Sequence, residues 1–134
     1  MNFQASGSIV RCRFVKQSAA GTVAQQSTAG AFCVGISGDA GNSSPIPLNT
    51  TDPPYAAVSG QQCNVIGFHD GSNFPVLEIG TGGCSAGDRL ASDANGKGVV
   101  TTTNGHWLHA VAEEAASAGE LCKVRWIEAI LYAA

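Results

Sequence analysis

The chain has 134 residues and a mass of 13.6 kDa, which argues for one domain. Charged residues are 13% of the chain, about half the ~25% of an ordinary soluble domain, while 44% hydrophobic residues exclude a disordered chain. Seven Lys and Arg against ten Asp and Glu give a net charge of −3 and exclude the dense basic surface of a sequence-independent nucleic-acid binder. No apolar run approaches the ~18 residues of a membrane-spanning helix, so neither nucleic acid nor membrane is an expected partner.

The predicted elements are nearly all strands. Met1 to Gly7 reads as an N-terminal arm, with no basic stretch and apolar core of an export signal, and residues 8–134 as a single β domain. Ser8 to Lys16 alternates, with Val10, Cys12 and Phe14 on one face and Arg11 and Arg13 on the other. Thr22 to Gln26 and the apolar Ala31 to Ser37 follow as strands. Asp39 to Tyr55 holds Pro45, Pro47, Pro53 and Pro54 among Gly, Asn, Ser and Thr, which rules out a central strand and predicts a long loop reaching to about residue 57.

Asn64 to Phe68 and Val76 to Ile79 are short strands flanking His69-Asp70-Gly71. Arg89 to Ser92 and Val99 to Thr103 each run into an Asn-Gly turn, which predicts a β-meander ending in Trp107 to Ala112. Glu113 to Ser117 is long enough for one helical turn, and Leu121 to Ile127 alternates again. Ser85-Ala86-Gly87-Asp88 recurs as Ser117-Ala118-Gly119-Glu120, each copy preceding a strand. The fold class that follows is all-β: a small antiparallel barrel or sandwich with a meander and a long Pro-rich loop.

Chemistry is sparse. Cys12, Cys33, Cys63, Cys84 and Cys122 are scattered without a Cys-x-x-Cys pair, so they read as five reduced, buried apolar residues with no metal. His106 and His109, three apart on a strand, face opposite sides, and adjacent His69 and Asp70 point apart; a metal-dependent hydrolase built on His69, His106 and His109 is the weakest reading. No nucleophile elbow or phosphate-binding loop is present, so neither an enzyme nor a cofactor is expected.

Low charge implies surface hidden against copies of the chain or a partner. From Ile127 both faces of the last strand are apolar, and Trp126, Ile127, Ile130, Leu131 and Tyr132 are the expected oligomer interface. Charge is also unevenly placed. No acid precedes Asp39, nine acids lie between Asp39 and Glu120, and Lys123 and Arg125 follow. If first and last strands pair, Arg11, Arg13, Lys123 and Arg125 form one cationic contact patch beside the arm. The Pro-rich loop is the competing contact.

One segment resembles a known family. Ala86-Gly87-Asp88-Arg89-Leu90, Asp93-Ala94-Asn95-Gly96-Lys97, Ala110-Val111-Ala112-Glu113 and Ala116-Ser117-Ala118-Gly119-Glu120-Leu121-Cys122-Lys123-Val124 follow in the order found in the small capsid decoration (cement) proteins of tailed bacteriophages. His109 stands where that family has Gly. The resemblance implies a mostly β virion protein without an active site, made in the host bacterial cytoplasm. It implies binding to the major capsid protein on the outer capsid surface, where the protein stabilises contacts between capsid subunits. Local symmetry on an icosahedral shell makes a homotrimer the first expectation and a dimer the second. The rival is a ligand- or glycan-binding β module of a phage tail or fibre, stacking sugar on Trp107, Trp126 or Tyr55.

Overall fold

A computed structural model describes residues 2–38, 55–57, 59–66 and 75–131. Every regular element among them is a strand, and the fold is all-β. Five strands close a small barrel: β1 (Asn2–Ala5), β3 (Phe14–Ala19), β4 (Thr22–Gln25), β5 (Gly35–Ser37) and β7 (Gln62–Ile66), in the order β1-β4-β3-β5-β7. β2 (Ile9–Val10) pairs separately with β6 (Tyr55–Ala57). The second sheet holds β8 (Val76–Glu78), β9 (Arg89–Ser92), β10 (Gly98–Val100), β11 (Trp107–Ala112) and β12 (Leu121–Ile130), in the order β10-β9-β11-β12-β8.

Period-two alternation separates two cores. Val15, Val23, Cys63 and Val65 pack together with Ala5, Ile9 and Ala57. Phe14 and Ile36, paired across β3 and β5, belong instead to the core shared with Leu77, Ile79, Leu90, Ala110, Cys122 and Val124 of the second sheet. Neighbours Phe14 and Val15 thus serve opposite faces, and both are fully buried.

Four expectations are corrected here. Residues 2–5 are not a free arm: β1 pairs in parallel with β4 and antiparallel with β7. Ser8 to Lys16 is not one strand, because Cys12 takes a positive φ of 60° and turns the chain between β2 and β3. The second Asn-Gly turn does not complete a meander, since β11 pairs with the far side of β9 rather than with β10. Glu113 to Ser117 forms no helical turn and instead carries a bridge from Ala116 to Cys84. Residues 39–54 of the Pro-rich loop lie outside the described residues, while Tyr55–Ala57 is a strand.

The repeated Ser-Ala-Gly-acid segments form matching turns. Ser85 N donates to Asp88 Oδ2 (2.8 Å) and Asp88 N to the Ser85 carbonyl (3.1 Å). Ser117 N donates to Glu120 Oε1 (2.7 Å) and Glu120 N to the Ser117 carbonyl (3.0 Å). Gly87 and Gly119 supply φ of 89° and 86°, a region that side chains with a Cβ rarely adopt. Each turn then exchanges two backbone bonds with one residue near a strand end, Ala112 for the first and Ile79 for the second. The acid is the turn's own cap.

Candidate interaction surface

The four cations do not form one patch. First and last strands lie in different sheets, so the pairing that would gather them does not occur. Arg11 is half-buried in the turn after β2. Arg13 is drawn inward, its side chain 12% exposed. Its Nη2 lies 3.0 Å from Glu78 Oε1, its Nη1 donates to the Asn95 carbonyl at 2.9 Å, and Lys97 Nζ lies 3.2 Å from the other Glu78 oxygen.

This network ties the barrel to the second sheet. The first Asn-Gly turn is the docking piece. Asp93 Oδ1 accepts from Asn95 N and Lys97 N, and the turn's Gly96 carbonyl accepts from Phe14 N at 2.8 Å. Lys123 and Arg125 do stay on the outward face of β12, beside Leu121, and Arg125 Nε lies 3.6 Å from Glu113 Oε1.

Of the expected oligomer face, Ile130 and Leu131 lie together at one end of the second sheet, whereas Trp126 packs against the core beside Phe14 and His109. Trp126, Ile127, Ile130 and Leu131 are all half-buried, and Tyr132 lies outside the described residues. Trp107 pairs with Ile130 across β11 and β12, and Leu131 exchanges backbone bonds with Gly105 and His106. Trp107 N donates to the Gly30 carbonyl, which brings Phe32 against Trp107 edge-on, with ring centroids 4.9 Å apart. Phe32, 45% exposed, therefore stands with half-buried Trp107, Ile130 and Leu131 at one end of the second sheet. Reading Ala31 to Ser37 as one apolar strand hid Phe32, because only Gly35–Ser37 is a strand. Its alternation with buried Cys33 was the available signal.

Beneath this end lies His109, fully buried at a bulge where the β11–β12 register shifts between Leu108 and Ala110. The ring is stacked between Trp107 (5.8 Å, 5°) and Trp126 (4.8 Å, 16°). Its Nε2 accepts from Cys33 N at 3.0 Å, so Nδ1 carries the proton. Burial pushes its pKa down to about 4, partly offset by the nearby Ile127 carbonyl, whose geometry falls short of a hydrogen bond. His109 does not meet His106, whose Nδ1 lies 2.9 Å from Thr101 Oγ1. His69 lies outside the described residues, and among those described no His, Cys, Asp and Glu group could hold a metal.

No family model and no curated protein matches the chain. Its fold is similar to that of the head fiber gp8.5 N base in bacteriophage phi29, known from a crystal structure, with a TM-score of 0.53 and 17% identity over 99% of this chain and 97% of that one.

Proposed function

We propose that this chain is a structural virion protein on the outside of a phage head, where it binds the major capsid protein and stabilises contacts between capsid subunits. The fold likeness along nearly the whole chain to a phage head fiber base carries this reading. The decoration-protein pattern supports it independently, because its two Ala-Gly-acid elements are the capped turns of the second sheet. Self-association uses the apolar end built from Phe32, Trp107, Ile130 and Leu131, with a trimer preferred on symmetry grounds.

The test uses phage heads from a strain lacking the gene. Purified protein should co-sediment with them and raise the temperature at which they release DNA. Failure to bind overturns the reading. Binding without protection would favour the second reading, a fibre-base or glycan-binding module, which the head-fiber likeness also supports. A glycan array then separates attachment from sugar recognition.

A further inference from the structure

The sulfurs of Cys84 and Cys122 lie 4.0 Å apart, and both approach the Glu114 carbonyl, at 3.8 and 3.3 Å. The backbone holds them there. Cys84 is pinned by a two-bond bridge to Ala116, with N···O distances of 2.8 and 3.0 Å, and Cys122 pairs with Leu77 across β12 and β8. Cys122 is buried, but Cys84 is partly exposed and lines a cavity of about 490 Å³ between the twin turns, with Gly83, Ser85, Asp88, Ala116 and Ser117. An attacking molecule therefore reaches one sulfur of the pair and not the other.

We propose that Cys84 and Cys122 form a redox-active thiol pair that closes to a disulfide by exchange with a low-molecular-weight disulfide of the glutathione class. The Cys84 thiolate attacks one sulfur of that disulfide, forming a mixed disulfide and releasing one thiolate. Cys122 then loses its proton to solvent and attacks the Cys84 sulfur, forming the Cys84–Cys122 bond and expelling the second thiolate. Two protein thiols are oxidised, and one small disulfide is reduced to two thiols. Closure asks the sulfurs to move from 4.0 Å to ~2.05 Å apart.

The order of attack follows from exposure and charge. Burial, with the neighbouring Cys84 adding to it, pushes the Cys122 thiol up to about 11, so Cys122 acts as the resolving and not the first nucleophile. Burial holds Cys33 at about 12 and Cys63 at about 11, which leaves them as inert internal controls. The inference does not depend on the virion role.

The folded protein is incubated with oxidised glutathione, quenched with acid and denatured. Titratable thiols should fall from five to three, and the mass should drop by about 2 Da for two lost hydrogens. A peptide map should join Cys84 to Cys122, and the melting temperature should rise by roughly 5–10 °C because 38 positions of chain are closed into a loop. Cys122→Ser should stop at one glutathione on Cys84, and Cys84→Ser should keep its remaining four thiols. Five surviving thiols, a wild-type product arrested as the mixed disulfide, or a bond between any other cysteines would overturn the proposal. The wild-type mass and peptide map decide this even if Cys122→Ser fails to fold.

Discussion

His109 couples stability to pH through a single buried ring. Its folded pKa of about 4 lies below the ordinary histidine value of 6.5, so between those limits the unfolded chain binds more protons than the folded one. The contribution is therefore complete above pH 6.5 and lost as pH falls toward 4. Urea unfolding at steps from pH 7.5 to pH 4 should show stability falling by at most ~1.4 kcal/mol per pH unit, ~3 kcal/mol in all. His109→Gln keeps a polar side chain at this place and should flatten that slope. An equal slope in the variant would assign the effect to the carboxylates. Arg13 is the second residue whose role changes once its partners are seen. Removing it leaves half-buried Glu78 with Lys97 alone and strips a donor from the Asn95 carbonyl. Arg13→Ala should cost about 1–3 kcal/mol, and a double-mutant cycle with Glu78→Gln should recover part of it. Loss of function after charge reversal at Arg13 would accordingly report folding and not contact.

The twin turns make a controlled comparison at the level of elements. A Cβ at Gly87 or Gly119 meets nothing within 4 Å, so replacement by Ala is opposed by backbone conformation alone. With φ of 89° and 86°, each substitution should cost a similar ~1–2 kcal/mol, and the two should add in denaturant titrations. A large inequality would mean that the turns are alike in sequence but not in energetics. These turns were legible because Ser, Gly and the acid act within four residues. Arg89–Ser92 and Trp107–Ala112 were likewise readable to their ends from the Asn-Gly turns that follow the one and precede the other, whereas the strand between those turns, expected over Val99 to Thr103, runs only over Gly98–Val100. Legibility failed where one residue's backbone or a distant partner decided the outcome. The alternation across Val10, Cys12 and Phe14 is intact in the sequence, yet the positive φ at Cys12 breaks the strand, and a β-like period carries no warning of it. Pairing order is equally silent: β9 accepts β10 on one edge and β11 on the other, a choice made by burial of Leu90, Ala110 and Ala112 in the shared core.

The whole molecule offers two chemically different surfaces, and they should separate self-association from attachment. The apolar end joins Phe32, Trp107, Ile130 and Leu131, which meet because Trp107 N donates to the Gly30 carbonyl, Trp107 pairs with Ile130, and Leu131 exchanges backbone bonds with Gly105 and His106. That explains why the apolar tail stood out in the sequence while Phe32 did not. Phe32 is the member to change, because at 45% exposure it is the most accessible of the four, and its ring meets Trp107 and His109 only edge-on, with centroids 4.9 and 5.4 Å apart. Phe32→Ser should weaken self-association by roughly tenfold or more in sedimentation velocity, with a fall in melting temperature of a few degrees from the two lost edge-on contacts. The outward cations of β12 should act differently. Lys123→Glu with Arg125→Glu reverses charge on an exposed strand face without touching the aromatic end, so the oligomer should persist. Charges at the edge of an interface govern encounter rate and salt dependence more than dissociation. Wild-type association with phage heads should therefore slow as salt rises. The double variant should bind slowly at low salt and lose that salt response. Unchanged kinetics in the double variant at both low and high salt would remove β12 from the contact, and Phe32→Ser heads-binding would then show whether the apolar end meets the shell instead of a sister chain.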